Sequence, residues 1–333
     1  MTGHNSSYEA TILITGGTRG LGLEAAKTLS RHNPQYQIIV ASSTLNDAAQ
    51  RTIRASSGNM TFMPLDLSSP NAVRQFVDRF SSGGYPPIKA LLLNAGVQFR
   101  EHEAFTDDGV EKTFAVNHIG HMHLFLLLRP HLSKDARIVI TSSGTHDPRH
   151  ISDKLMPHPC DTSAEDLAHP RKPQSPDSSN PTRENGRRYS TSKLCNLLFM
   201  HALDRRLKRD GKEWTVLALD PGFMPRTGLA RQSVWSRMLL HYFLLILRPF
   251  LYYLFSYDNI RTPAESGEAL AFLASANELQ GKSARYFVGK REVESSADSY
   301  SLEKQEDLWN WTIRYLARDE VELTNFEDNT RVC

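Results

Sequence analysis

The 333-residue chain is 40% hydrophobic and 23% charged, the balance of a globular protein able to bury a sizeable core. Its 39 basic and 37 acidic residues leave a net charge of only +2, which gives no electrostatic reason to expect a nucleic-acid partner. Cys160, Cys195 and Cys333 are scattered and form no CxxC pair, so neither a disulfide framework nor a zinc site is suggested, and a reducing compartment such as the cytoplasm is the default. The stretch Met1–Glu9 is polar and lacks the apolar core of a signal peptide.

Strands are predicted at Ala10–Thr15, Tyr36–Ala41, Met60–Leu65, Ile88–Asn94, Ala136–Thr141, Trp214–Leu219 and Ala284–Val288. Most are near-continuous apolar runs, as strands buried on both faces of a parallel sheet must be. Helical periodicity falls between them at about Leu21–His32, Asn71–Phe80, Val110–Leu128, Tyr189–Arg209 and Pro263–Ala276, with a last helix at about Leu302–Ala317. The alternation predicts a doubly wound α/β sheet. Two segments interrupt it. His146–Arg188 is rich in Pro, Ser, Asp, Asn and Arg and reads as a polar insertion, either a tolerated surface loop or a flap or partner-binding loop. Met238–Phe255 begins as an apolar run that Arg248 and Pro249 break. Ten helical residues span about 15 Å, half of a bilayer's hydrocarbon core, which argues against a transmembrane span. Three readings of 238–255 stay open: a hydrophobic lid over a substrate pocket, peripheral contact with a membrane, or a homodimer contact.

The run Thr15-Gly16-Gly17-Thr18-Arg19-Gly20-Leu21-Gly22 leaves the first strand and opens the first helix. Gly16 permits the tight turn, Gly20 lets the backbone approach a pyrophosphate, and Gly22 allows helix and sheet to pack closely, while the helix start (with Leu21) presents free N–H groups to phosphates. The second strand ends in Ala41-Ser42-Ser43, with no acid to repel a 2′-phosphate, and Arg19 can pair with one; NADP(H) is therefore the expected cofactor. Asp66-Leu67 follows the third strand, where Asp66 either accepts from an adenine amino group or closes a turn before Ser68-Ser69-Pro70. Asn94-Ala95-Gly96 ends the fourth strand with small residues across which a cofactor can lie.

Tyr189 and Lys193 are four apart and share one helix face. An ammonium near a phenol favours phenolate, so Lys193 is expected to lower the Tyr189 pKa. Ser143, at the end of the fifth strand, is expected to hydrogen-bond a reacting carbonyl oxygen; Ser142 is its rival. Asn117 sits inside a helical pattern that disfavours it, and either holds a water behind Lys193 or is a satisfied buried amide. His118, His121 and His123 lack a fitting set of metal ligands and read as structural.

With these residues in this order, the chain resembles the short-chain dehydrogenase/reductase family over about residues 10–290. The resemblance rests on Thr15–Gly22, Asp66-Leu67, Asn94–Gly96, Asn117, Ser143, Tyr189–Lys193, and Pro221-Gly222 with Thr227. It implies a seven-stranded parallel Rossmann sheet, a nicotinamide cofactor, an Asn117–Ser143–Tyr189–Lys193 tetrad, a substrate pocket shaped by the residues after Pro221-Gly222, and Thr227 near the nicotinamide. Residues 1–333 would then form one dinucleotide-binding domain, with the polar insertion at 146–188 and a substrate-lid segment at 223–262. Asn117–His121, Ser192–Asn196, Thr227–Leu229 and Glu265–Gly267 look most like the retinol dehydrogenase and protochlorophyllide reductase branch. Phe223 stands where the light-dependent members of that branch carry Cys, which argues against photochemical reduction.

The expected activity is NADP(H)-dependent interconversion of a carbonyl and an alcohol on a lipophilic small molecule. Relatives of this shape include enzymes that act on intermediates of secondary metabolism. A C=C reductase of the same fold is the alternative within enzymes, and a non-catalytic NADPH-binding sensor or scaffold is the alternative outside them.

Overall fold

The computed structural model describes residues 8–56, 58–99, 103–149, 156–170, 180–224 and 259–328. The chain opens with β1 (Ala10–Thr15), α1 (Gly20–His32), β2 (Tyr36–Ser42), α2 (Asp47–Ala55), β3 (Met60–Pro64), α3 (Pro70–Ser82) and β4 (Ile88–Leu93). There follow α4 (Lys112–Phe114), a π-helical turn (Ala115–Ile119), α5 (Gly120–Leu128) and β5 (Leu132–Thr141). Beyond them lie α6 (Ala164–Ala168), α7 (Pro181–Arg209), β6 (Thr215–Asp220), α8 (Pro263–Ser275), β7 (Arg285–Val288), β8 (Arg291–Val293), α9 (Leu302–Leu316) and α10 (Glu320–Glu327).

The strands form one sheet in the order β3-β2-β1-β4-β5-β6-β7-β8. The expected seven strands are all present and parallel, and the antiparallel strand β8 is added beyond β7. The chain order reverses between β1 and β4, so the carboxyl ends of these two strands flank the crevice where doubly wound sheets bind ligands. Alternate side chains feed two cores. Ile12, Ile14, Val40 and Leu92 pack under α1 and α8, while Leu13, Leu91, Ile138 and Ile140 pack under α5, α7 and α9. That two-sided burial is why the strands read as continuous apolar runs.

Local signals stop and start the elements as the physics of helix ends requires. Ser69 accepts from Ala72 N–H at 3.3 Å with Pro70 at the first helical position of α3. Thr262 and Glu265 form a reciprocal capping box on α8.

Three expectations need correction. Helix α7 starts at Pro181, so Tyr189 lies two turns inside it and does not open it. The early turns, Pro181–Arg188, carry almost no apolar residues, which hid them inside a polar insertion; the Asn180 cap, accepting from Arg183 N–H, and Pro181 were the available signals. The polar insertion is not a loop from its first residue either. His146 and Asp147 are buried, and Gly144–His146 form a 3₁₀ turn. Within the predicted helix 110–128, the backbone switches to a π turn at Ala115–Ile119, centred on Asn117. No helix among the described residues is long and apolar enough to cross a membrane. The apolar run 238–255 and Thr227 lie outside the described residues.

Candidate active site

The glycine run turns from β1 into α1. Gly16 has φ +67° and Gly20 φ +55°, a region that side chains with a Cβ rarely occupy. A Cβ on Gly22 would stand 2.5 Å from the Gly16 carbonyl oxygen and 2.7 Å from Asn94 Nδ2, so the close approach that permits the turn demands glycine. Arg19 sits at the helix N-cap in extended conformation, is exposed, and makes no side-chain capping bond. Ser42 is half-buried and Ser43 exposed at the end of β2. Asp66 is exposed, and its Oδ1 accepts from Ser68 N–H and Oγ at 2.9 and 2.7 Å. Leu67 is buried in the core below.

The tips of β1 and β4 are tied together by one hydroxyl. Thr15 Oγ1 accepts from the backbone N–H of Asn94 at 2.8 Å and of Ala95 at 2.9 Å, and Asn94 Nδ2 donates to the Thr15 carbonyl at 2.9 Å. Thr15 Oγ1 also lies 2.8 Å from His121 Nε2, while His121 Nδ1 lies 3.0 Å from the Asn117 carbonyl. A carbonyl only accepts, so Nδ1 carries the ring proton and Nε2 accepts from Thr15. Burial lowers the His121 pKa to about 4, in keeping with this neutral tautomer. The histidine read from the sequence as structural therefore couples the dinucleotide crevice to the π turn.

The second half of the site lies where β5, β6 and α7 meet. Tyr189 and Lys193 are buried, with Lys193 Nζ 5.5 Å from the Tyr189 ring centroid and 3.1 Å from the Thr141 carbonyl, to which it donates. A Cβ on Gly96 would be 3.5 Å from Lys193 Nζ and from Asn117 Oδ1, so the Asn94–Gly96 turn abuts this centre. The Ser143 hydroxyl accepts from Thr145 N–H at 3.4 Å and acts on the Tyr189 phenol in the direction that lowers its pKa. Ser142 instead points away and donates to the Lys193 carbonyl at 2.8 Å, stitching β5 to α7. Asn117 spends its side chain on the protein. Oδ1 accepts from Val97 N–H at 2.8 Å, and Nδ2 donates to the Val97 carbonyl at 3.1 Å and to Ser192 Oγ at 3.0 Å. These bonds tie the π turn to Val97 and to α7.

The electrostatics differ from expectation. Burial and the charge of Asp220 push the Tyr189 phenol above its ordinary range, and the Ser143 hydrogen bond opposes them. Burial brings Lys193 down to about 8, with Asp220 opposing. Desolvation and Asp220 together outweigh Ser143, so the expected lowering of Tyr189 does not result.

A family model described as short chain dehydrogenase matches residues 10–150. The polyprenol dehydrogenase of Danio rerio is 34% identical over 310 residues, covering 89% of this chain and 83% of that protein. Protochlorophyllide reductase A of Oryza sativa subsp. japonica is 30% identical over 323 residues, covering 92% and 81%. The chain belongs to the short-chain dehydrogenase/reductase family. The crystal structure of 3-oxoacyl-[acyl-carrier protein] reductase from Brucella melitensis in complex with NAD shares the fold, at TM-score 0.56 and 19% identity over 83% of this chain and 94% of that one.

This short-chain dehydrogenase/reductase is an oxidoreductase of a family that works with a nicotinamide cofactor. The residues present fit such a group, because the cradle between Gly16, Gly22 and Asn94 is one that a Cβ would fill. Pro221 is buried and Gly222 half-buried directly after β6; the Pro221 carbonyl accepts from Ser266 Oγ at 2.6 Å.

Sequence reasoning missed two residues at this centre. Asp220, buried at the tip of β6, was legible as a charged residue ending an apolar strand directly before Pro221-Gly222. His146 had no such signal. Its Nδ1 donates to the Ser143 carbonyl at 2.7 Å and its Nε2 accepts from Ser296 N–H at 3.1 Å.

Proposed function

We propose that this protein is an NADP(H)-dependent oxidoreductase that interconverts a carbonyl and an alcohol on a lipophilic small molecule, with Tyr189 as its acid/base. The observation that carries the reading is the burial of Tyr189 with Lys193 Nζ 5.5 Å from its ring, against the Asn94–Gly96 turn and at the end of the strand that carries Ser143. A nicotinamide held there supplies or takes up the hydride. Ser143 and Tyr189 donate hydrogen bonds to the carbonyl oxygen as negative charge gathers on it. Because burial raises the Tyr189 pKa, the phenol enters the reductive direction protonated, as a general acid must. Lys193 is anchored on the Thr141 carbonyl and can hold a ribose hydroxyl, and Asn117 keeps the start of this arrangement in place through Ser192.

NADP(H) is favoured over NAD(H) by the exposed guanidinium of Arg19 and by the absence of an acid at Ser42-Ser43. A lipophilic substrate is favoured by the kinship to a polyprenol dehydrogenase and a protochlorophyllide reductase, and by the apolar run at 238–255.

Oxidation of NADPH and NADH should be followed against a panel of lipophilic ketones and aldehydes, with the Tyr189→Phe variant alongside. Turnover with NADPH is expected, and Tyr189→Phe should lose about 10²–10⁴ in kcat while still binding cofactor. Full activity in Tyr189→Phe would refute the acid/base role, and a preference for NADH would refute the cofactor.

A further inference from the structure

One buried titratable group beside Tyr189 and Lys193 has no part in the mechanism above. Asp220 is 3% exposed, at the carboxyl tip of β6. Two donors converge on its carboxyl group. Gly222 N–H reaches Oδ1 at 2.9 Å and Asn259 Nδ2 reaches Oδ2 at 2.6 Å, while Gly144, the residue after Ser143, packs so close that a Cβ there would stand 3.0 Å from Oδ2. No acceptor is among these partners. Burial raises the Asp220 pKa and these donors lower it; a protonated carboxyl would leave its own O–H unbonded among them, so the cage fits the carboxylate.

No cation forms an ion pair with it among the described residues. The Arg261 guanidinium acts at one remove, its Nε donating to Asn259 Oδ1 at 3.0 Å while the other end of that amide donates to Asp220. Among the described residues, Asp220 also bears on Tyr189 and Lys193 on α7 and on Tyr286 on β7. Its partners also define a junction. Gly144 continues the turn that carries Ser143. Phe223 and Ile260, next to Gly222 and Asn259, pair as a parallel bridge.

We propose that Asp220 is a positioning residue of this centre, an ionised carboxylate that locks the Ser143–Gly144 turn to Gly222 and Asn259 and whose charge sets the pH range over which Tyr189 and Lys193 work. The proposal rests on the acid/base reading of Tyr189. The sign follows from Coulomb's law. An anion favours the ammonium and opposes the phenolate, so removing it lowers the pKa of both groups.

The test is a carbon-13 titration of the Lys193 ε-carbon in the full-length protein labelled at lysine, with the resonance assigned by Lys193→Met. In the wild type the midpoint is expected near 8. Asp220→Asn should lower it by about one unit, and Asp220→Glu should hold it close to the wild-type value. A merely structural role would reduce thermal stability in Asp220→Asn without moving the Lys193 midpoint, and that result in a folded variant overturns the proposal. Should Asp220→Asn not fold, the aspartate carboxyl carbons of the wild-type protein carry the test, with Asp220 assigned by its displacement in Asn259→Ala. A carboxylate at neutral pH supports the proposal, and a protonated Asp220 overturns it. Neither titration needs a substrate. Failure of the turnover panel therefore counts against the catalytic reading alone, and an unmoved Lys193 counts against Asp220 alone.

Discussion

Ser142 and Ser143 are neighbours just past the tip of β5, yet the Ser142 hydroxyl is committed to the Lys193 carbonyl while the Ser143 hydroxyl accepts from Thr145 N–H and acts on the Tyr189 pKa. Consecutive side chains along an extended segment point to opposite sides, which separates the two hydroxyls. Ser143→Ala should therefore lower kcat by about 10²–10³, the usual cost of removing one donor to a developing oxyanion. Ser142→Ala should leave kcat nearly unchanged and cost about 1 kcal/mol of stability in a denaturant titration. The reverse pattern would exchange the two roles. The choice between the serines was open in the sequence, because both are strand-end hydroxyls and the pleat that separates them is set only once α7 packs. The spacing of Tyr189 and Lys193 was legible because an i, i+4 pair shares a helix face in any context. The direction of the Tyr189 pKa was not, since it depends on burial by elements distant in the chain.

At the scale of elements, α1 and α8 pack so closely that a Cβ on Gly267 would stand 2.5 Å from Glu24 Cβ and 2.8 Å from the Ala25 backbone nitrogen. Backbone cannot swing aside as a flexible side chain can, so the helices must part. Gly267→Ala is expected to cost about 1–3 kcal/mol in chemical denaturation, typical of overpacking. Because α1 opens at the glycine turn, cofactor affinity should fall with it. An unchanged denaturation midpoint would show that α1 and α8 do not approach as described. The Glu265-Ser266-Gly267 motif thus has a packing reason that the family pattern alone does not state. The π turn at Asn117 is of the same kind. The sequence shows an amide where helices dislike one, but not that Val97 and Ser192 receive it.

At the scale of the whole molecule, three histidines are buried around α5. Burial lowers His118 and His123 to about 3 and His121 to about 4, from an ordinary value of 6.5. The unfolded chain takes up protons as pH falls past 6.5, and the folded chain resists until near 4 and then 3. Their contribution to stability is therefore intact above pH 6.5 and is lost progressively below it. Thermal denaturation should show Tm falling as the solution is acidified from pH 6.5 to 4, and His118→Phe should flatten part of that slope. A Tm constant over this range would mean the rings are not buried neutral. Periodicity and turn chemistry, which are local, determined the parallel strands, the glycine turn and the Tyr189–Lys193 face from sequence alone. Long-range contact decided the rest. His146 reaches Ser296 across 150 positions, Asp220 reaches Asn259 across 39, and Asn117 reaches Ser192 across 75. A polar side chain takes its role from whichever partner folding brings within hydrogen-bond distance, and no neighbouring residue in the chain encodes that partner.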